Sequence, residues 1–261
     1  MSNDIKKQLS SLNLNGMMGT LEIRNEQALT TQMTYTEFLN TLLTDEIAVR
    51  DTKKYERRLK AANIKGYKTL DNFDFSYNPN INRKMIYDLS TCLFIANKTP
   101  VIIVGSCGTG KTHLAQAIGF SAIQKGFDVL MTSQSELSSM LTEARATSSY
   151  GKKIKKLSEI PLLIIDDFAL KPLSRMEEED LHELIDKRSE QSSTLVTSNL
   201  APHEWVDAFS NKLLGVATLD RLQFKATFLT IDGKSYRSKI EGEEKNQSSH
   251  AKKKEDEESI H

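Results

Sequence analysis

Short apolar runs alternate with helical stretches over the central part of the chain, from about residue 80 to 240. The strand-like runs lie at 101–105, 127–132, 161–166, 194–198 and 226–231. Helical apolar spacing separates them, most clearly at 112–125, 134–147 and 176–190. Apolar strands that alternate with helices are typical of a parallel sheet covered on both faces. The pattern therefore predicts an α/β fold with a five-stranded, mostly parallel sheet.

The residues before this region are polar and helix-prone, and they predict a small all-helical N-terminal domain. One of its helices should place five apolar side chains on a common face, as in a small helical core: Phe38, Leu39, Leu42, Leu43 and Ile47. We expect a helical domain, a linker, an α/β domain and a charged, disordered tail, with bounds at 1–66, 67–80, 81–240 and 241–261.

An octapeptide after the first strand carries the clearest chemistry. Residues 105–112 read Gly-Ser-Cys-Gly-Thr-Gly-Lys-Thr and match G-x-x-x-x-G-K-[ST], the loop that holds nucleotide phosphates. Its glycines allow backbone N–H groups to turn inward around an anion. Lys111 places a cation against the β- and γ-phosphates, and the Thr112 hydroxyl can ligate Mg²⁺. The expected contacts with ATP or GTP are Gly105, Ser106, Cys107, Gly108, Thr109, Gly110, Lys111 and Thr112.

Polar residues follow the third and fourth predicted strands. Asp166 and Asp167 end an apolar strand at the edge where open α/β sheets bind ligands. Asp166 is the expected partner of Mg²⁺, and Asp167 is suited to polarise the attacking water. Asn199 follows the next strand and is expected to hold the water or the γ-phosphate, although an ordinary strand-ending turn would also explain it.

Arg221 stands beside Asp220 in an otherwise uncharged stretch. A guanidinium group stabilises the charge that spreads during phosphoryl transfer, often from a neighbouring subunit. A surface salt bridge would explain the same arginine, so the residues alone leave both interpretations open.

The charge balance restricts the kinds of partner. The chain has 35 basic and 35 acidic residues, so any contact with nucleic acid must come from a local patch. Residues 145–156 contain five cations, one aromatic and no acid, and the cations are Arg145, Lys152, Lys153, Lys155 and Lys156. Such a cluster favours salt-dependent contact with the DNA backbone without sequence specificity, and the alternative is a solvated helix end.

Cysteine usage and hydropathy suggest a location. Cys92 and Cys107 fit no metal spacing, and reduced thiols in the cytoplasm are the simpler interpretation. No apolar run approaches the ~20 residues that a membrane span needs. The first residues also lack the apolar stretch of a secretory signal. We expect a cytoplasmic protein with no membrane contact.

With these residues assembled, the chain resembles the IstB family, the ATP-dependent helper proteins of insertion-sequence transposition. That family is close kin to the DnaC-type helicase loaders within the AAA+ ATPases. The resemblance covers about residues 1 to 240, and its segments are 55–62, 68–75, 105–113, 162–168, 197–199, 220–222 and 233–237.

The resemblance implies roles for individual residues. Asn199 would be the sensor-1 residue, and Arg221 would be an arginine finger that acts in trans between subunits. Arg237 would be a second sensor, and His113 would belong to the nucleotide site because it closes the Gly-Lys-Thr-His segment. Asp167 stands where many AAA+ proteins have glutamate, which suggests slow hydrolysis.

The resemblance also implies cofactors and partners. They are ATP with Mg²⁺, a homo-oligomer on duplex DNA and a cognate transposase, with DNA contact from the segment between 134 and about 158. The alternative within the family's kin is a replicative helicase loader, which should bind a hexameric helicase and prefer single strands. A P-loop kinase for a small molecule would need a substrate pocket and a lid, and the sequence offers no candidate for either.

Overall fold

The computed structural model of the protein describes residues 3–66, 68–79, 81–233 and 235–236. The chain forms two compact units that divide between Lys60 and Ala61. Residues 68–79, which the sequence suggested as a linker, belong to the second unit. The predicted tail and Arg237 lie outside the described residues.

The first unit is helical. Its helices are α1 (Asn3–Ser11), α2 (Asn15–Thr31) and α3 (Tyr35–Ala61), the last of which ends at the first residue of the second unit. Its small interior is built from Met17, Leu21 and Leu42, with Leu9, Leu14 and Phe38 packed against them.

The predicted apolar face of α3 is only partly correct. Leu42 is buried, but Leu39, Leu43 and Ile47 are 51%, 44% and 58% exposed. The reason is that the buried face of α3 also carries Glu46, which is 5% exposed. Its carboxylate accepts hydrogen bonds from the first N–H groups of α2, at 2.6 and 3.2 Å. Glu46 thus caps α2. The buried face of α3 is the one that carries Leu42 and Glu46, and Leu39, Leu43 and Ile47 lie outside it.

The second unit is an α/β domain. Its helices are α4 (Arg83–Ser90), α5 (Leu93–Ala96), α6 (Lys111–Gln124), α7 (Gln134–Ala146), α8 (Tyr150–Glu159), α9 (Arg175–Arg188) and α10 (Lys212–Gln223), with a 3₁₀ turn at Pro202–Ala208. Its strands are β1 (Val101–Gly105), β2 (Val129–Ser133), β3 (Leu162–Asp166), β4 (Ser193–Ser198) and β5 (Thr227–Ile231).

The five strands form one sheet in the order β2-β3-β4-β1-β5. Every pairing between neighbours is parallel, which confirms the predicted fold class. The register aligns Ile165 with Val196 and Val104 with Ser198. The carboxyl ends of β3, β4 and β1 therefore lie side by side at one edge of the sheet.

Helices cover both faces of this sheet. Ile102, Leu163 and Val196 point into a buried cluster that also contains side chains of α7, α8, α9 and α10. The alternate side chains of the strands point to the opposite face of the sheet, where α6 contacts β1, β2, β3 and β4. The approach of α6 is close, because a Cβ atom added at Gly119 would lie 2.8 Å from Cδ1 of Ile164.

One predicted strand begins later for a local reason, and the predicted DNA-contact segment contains more than one helix. The strand expected at 127–132 begins at Val129, because Gly126 has φ 89° and the Phe127 N–H donates to the Ala122 carbonyl at 3.0 Å. That arrangement closes the end of α6 instead. The segment from 134 to about 158 forms two helices, α7 and α8, and Ser148 in the turn between them has φ 53°.

In the described part of the chain, no helix combines the length and the apolar character that crossing a bilayer requires.

Candidate functional site

The loop between β1 and α6 has the geometry of an anion cradle. Gly108 and Gly110 have φ 78° and 99°, in the left-handed region that side chains disfavour. Space also requires glycine at position 110, since a Cβ atom there would lie 2.7 Å from the ring of Phe73. No side chain caps α6 at Gly110. The first N–H groups and the positive dipole end of α6 therefore face the loop, where a phosphate would be stabilised.

Lys111 is held inside this loop. Its side chain is buried, and Nζ donates to the carbonyl oxygens of Gly105 and Ser106 at 2.8 and 2.7 Å. The loop is braced further by the Thr109 hydroxyl, which donates to the same Ser106 carbonyl at 2.9 Å. The ammonium group is thus fixed where phosphate oxygens would meet it.

Thr112 and Asp166 meet across the sheet edge. The Thr112 hydroxyl donates to Oδ1 of Asp166 at 3.1 Å, and the Thr197 hydroxyl donates to the same oxygen. A hydroxyl and a carboxylate are the oxygen donors that Mg²⁺ prefers, usually alongside phosphates and water. Among the described residues, no group of three or more His, Cys, Asp and Glu side chains could hold a metal alone. These two residues therefore fit a magnesium ion that arrives with a nucleotide.

Asp167 and Asn199 line the same cleft. Asp167 is exposed and has φ 54°, so the chain turns sharply as it leaves β3. Its N–H donates to Oγ1 of Thr197 at 3.3 Å. Asn199 is half-buried and follows β4 directly. Because β3 and β4 are neighbours in the sheet, both residues leave it at the same edge.

The cleft has a volume of about 610 Å³. One wall is the loop, from Cys107 to the start of α6, and Cys107 is exposed there. The second wall is a segment that sequence reasoning took for a linker. Its lining side chains are Lys68, Asn72, Phe73, Asp74, Tyr77 and Asn78. The signals in the sequence were the clustering of aromatic and asparagine residues between 71 and 79 and the family-like segment 68–75.

His113 attaches this second wall to α6. Its Nε2 lies 3.0 Å from the Thr69 carbonyl, and its ring contacts Phe73 edge-on at 5.2 Å between centroids. Burial lowers the pKa of His113, the bond to Thr69 raises it, and the charge of Lys68 lowers it further. The net result is a pKa below the ordinary value. Because the Thr69 carbonyl can only accept a hydrogen bond, Nε2 is the donor in this contact. His113 lines the cleft, and its side-chain bond goes to the protein backbone.

The end of the described chain also touches the loop. The Tyr236 N–H donates to the Gly108 carbonyl at 2.9 Å, and Asn78 Nδ2 donates to the Thr109 carbonyl at 3.4 Å. Tyr77 connects the two segments, because its hydroxyl donates to the Ser235 carbonyl at 2.9 Å. The loop is therefore held by one segment that precedes it in the sequence and by one that follows it. Sequence reasoning missed these contacts.

Arg221 lies on α10 and is absent from the described residues that line the cleft. Its Nε is 2.6 Å from Oδ1 of Asp186, and both side chains are partly exposed, 39% and 51%. Its NH1 group donates to the Ala217 carbonyl at 3.0 Å. The salt bridge considered from the sequence is present, and this pairing does not bring Arg221 to the cleft of its own chain.

The five predicted DNA-binding cations fall into two groups. Arg145 donates to the buried carboxylate of Asp180 and stacks over the ring of Tyr150, with Cζ 3.9 Å from the centroid. Its guanidinium is thus committed to contacts within the chain. The other four cations lie on α8, three of them exposed and Lys153 half-buried: Lys152, Lys153, Lys155 and Lys156.

These features define the class of protein. A parallel sheet carries a phosphate-binding loop after β1, an acidic pair after β3 and a polar residue after β4, all on one cleft. This is a P-loop protein of the AAA+ type. The fold is similar to AMPPCP-bound DnaA from Aquifex aeolicus, with a TM-score of 0.54 and 21% identity, over 71% of this chain and 56% of that one. It is also similar to the DnaC helicase loader, with a TM-score of 0.52 and 22% identity, over 67% of this chain and 98% of that one.

The chain belongs to the IstB-like ATP binding protein family, which matches residues 7–244. It is 36% identical to an insertion-sequence ATP-binding protein of Mycobacterium tuberculosis, over 89% of this chain and 93% of that protein. It is 34% identical to the ATP-binding protein of insertion sequence IS21 from Pseudomonas aeruginosa, over 90% and 89% of the two chains. The family resemblance inferred from the sequence is therefore confirmed, and so is ATP binding as the family's common property.

Proposed function

We propose that this protein hydrolyses ATP with Mg²⁺, assembles as a homo-oligomer on duplex DNA and assists the transposase of its insertion sequence. The observation that carries the hydrolytic part is the convergence of Thr112, Asp166, Asp167 and Asn199 on one cleft beside the phosphate loop. Binding of magnesium–ATP needs the loop and Asp166, so Asp167 and Asn199 are the residues that favour hydrolysis over binding alone.

Each residue at this cleft has a chemical task. The loop N–H groups and Lys111 bind the phosphates and neutralise their charge. Thr112 and Asp166 would hold Mg²⁺, which supplies further charge stabilisation to the transferred phosphoryl group. Asp167 accepts a proton from the attacking water, and Asn199 orients that water or the γ-phosphate. The side chain of Asp167 is one methylene shorter than glutamate, so we expect a slow reaction.

The oligomer proposal is supported by the position of Arg221. This arginine pairs with Asp186 away from the cleft of its own chain, so it would serve catalysis in the cleft of a neighbouring copy. Because the ion pair is partly exposed, its loss costs little, and the guanidinium can exchange Asp186 for a γ-phosphate. Assembly and hydrolysis would then depend on each other.

The DNA proposal is supported by α8. Its apolar side chains Ile154 and Leu157 are buried, so the three exposed lysines are directed to solvent along the opposite face. Lysines arranged in this way bind phosphates as point charges and read no base sequence. We propose these contacts for the α8 lysines and not for Arg145, because that side chain is already paired.

The transposase proposal is supported by the relatives, which are ATP-binding proteins of insertion sequences. The cytoplasm is the expected location, since the DNA is there and Cys92 and Cys107 are free thiols.

The test is the ATPase rate with no DNA, with single-stranded DNA and with duplex DNA, while particle mass is followed in parallel. Duplex DNA should stimulate hydrolysis and oligomer growth, and Lys111→Ala should abolish both. A preference for single strands would favour a helicase loader. A rate and a mass that ignore DNA would refute the DNA part of the proposal.

A further inference from the structure

Thr197 on β4 contacts three consecutive residues at the end of β3. Its hydroxyl donates to Oδ1 of Asp166 and accepts from the N–H of Asp167 at 3.3 Å. Its carbonyl oxygen accepts from the N–H of Phe168 at 2.9 Å. The side chain is only 1% exposed and does not line the cleft among the described residues. Thr197 therefore reaches the site only through its neighbours.

The contact with Asp166 determines how that carboxylate is oriented. A carboxylate on a strand end rotates about its terminal bond unless hydrogen bonds hold it. Here Oδ1 receives two hydroxyl groups, one from Thr112 and one from Thr197. The Thr112 hydroxyl would ligate Mg²⁺ through its oxygen, whereas Thr197 contacts only the protein, so Thr197 supports Asp166 without being a ligand itself. Such supporting contacts set the affinity of a metal ligand as well as its direction.

The contact with Asp167 holds an unfavourable backbone turn. Asp167 and Ala169 have φ 54° and 59°, in the left-handed region that residues with a side chain disfavour. Strand β4 supports this turn at successive points, because the Ser198 hydroxyl also donates to the Phe168 carbonyl at 2.7 Å. Asp167, which lines the cleft, lies in this turn.

We infer that Thr197 is a positioning residue that orients both carboxylates, Asp166 for the magnesium ion and Asp167 for the attacking water. The inference rests on the proposed hydrolysis of magnesium-bound ATP. A buried threonine in a strand is also an ordinary β-branched core residue, so the test must separate the hydroxyl from the methyl group and the shape.

The experiment compares variants of the full-length chain. Thr197→Val keeps the shape and removes the hydroxyl, and Thr197→Ser keeps the hydroxyl. Thr132→Val is the matched control, since Thr132 is 2% exposed on β2 and its hydroxyl bonds to Ser133 and Glu136 instead. The dissociation constant of a fluorescent ATP analogue is measured with Mg²⁺ and with EDTA, and ATP turnover is measured across Mg²⁺ concentrations.

Thr197→Val should lose about 10-fold or more of the tightening that Mg²⁺ gives to nucleotide binding, with binding in EDTA unchanged. Its kcat should fall and its Mg²⁺ requirement should rise. Thr197→Ser and Thr132→Val should both behave as the wild type. Should Thr197→Val fail to fold, Thr197→Ala against Thr197→Ser makes the same comparison, because these two variants differ by one hydroxyl.

A Thr197→Val variant with the Mg²⁺ dependence of the wild type would overturn the inference, as would a Thr197→Ser variant that behaves like Thr197→Val. Failure of the proposed function looks different. In that case the wild type itself would show neither Mg²⁺-dependent binding nor turnover.

Discussion

Removing the exposed lysines of α8 should weaken DNA binding in a manner that depends on salt. The perturbation is the triple substitution Lys152→Gln, Lys155→Gln and Lys156→Gln. All three side chains are exposed, while Ile154 and Leu157 keep the helix packed against the domain. The ion pair of Lys155 with Glu159, at 3.8 Å, is lost and lies between side chains that are 75% and 65% exposed. Such a pair contributes at most about 1 kcal/mol, so the fold should survive.

The magnitude follows from counterion release. Each lysine that neutralises a phosphate of duplex DNA adds about 0.9 to the slope of the logarithm of affinity against the logarithm of salt. Three lysines per subunit then account for a slope of about 2.7. Between roughly 50 and 200 mM salt, the wild type should lose about 40-fold more affinity per bound subunit than the triple variant.

The assay is fluorescence anisotropy with a labelled duplex of unrelated sequence, in excess Mg²⁺ and a non-hydrolysable ATP analogue, at four salt concentrations. The matched control removes three exposed lysines from elsewhere in the second unit, Lys84, Lys98 and Lys125. Equal slopes for the wild type and the α8 variant would refute the assignment. If the control lost as much slope, the effect would come from net charge in general and not from the α8 lysines.

Three further predictions address other parts of the molecule. Arg221→Ala should retain ATP binding and lose DNA-stimulated turnover by about 10³-fold, because a trans guanidinium contributes at least that much to phosphoryl transfer; normal stimulated turnover would refute the trans role. Arg188→Met should lower the free energy of unfolding by roughly 3 kcal/mol in urea, because Arg188 is 1% exposed and its guanidinium donates to backbone carbonyls that would lose their donors. The neighbouring exposed Lys187→Met is the control and should change it by less than about 0.5 kcal/mol. Asp45→Asn should reduce acid sensitivity: the hydrogen bond from Arg24 lowers the pKa of Asp45 to about 2, so its stabilisation is complete above pH 4 and is lost as the pH falls towards 2. Thermal unfolding of the wild type and Asp45→Asn should therefore converge over that range, and a constant difference would contradict the assignment.

The parts of the site that the sequence predicts are those whose chemistry is local. The phosphate loop is one continuous octapeptide, and its glycine and lysine positions follow from the backbone of a single turn. Asp166 and Asn199 are equally accessible to prediction, because Asp166 ends one apolar strand, Asn199 directly follows another, and parallel strands end at one edge. The positions of the strands are also predictable from local sequence, because fully buried parallel strands are apolar throughout.

The second wall of the cleft is beyond such reasoning. Phe73, Tyr77 and Asn78 precede the loop by roughly thirty residues or more, and their polar and aromatic composition is typical of a connecting segment. Arg145 shows the opposite case. It belongs to a basic run in the sequence, but the Asp180 that neutralises it lies 35 positions later on α9. Contacts between distant segments depend on packing, which no local pattern encodes.

Thr197 combines both cases. In the sequence it is an ordinary β-branched residue within an apolar strand, and its neighbours predict burial and nothing more. Its contact with Asp166 requires that β4 lie directly between β1 and β3, an order that the succession of strands along the chain does not specify. With β4 in that place, the register aligns Val196 with Ile165, and the next residue on each strand brings the hydroxyl to the carboxylate. Strand order therefore places the Thr197 hydroxyl beside the two carboxylates. A variant that alters only this hydroxyl tests whether the contact orients them.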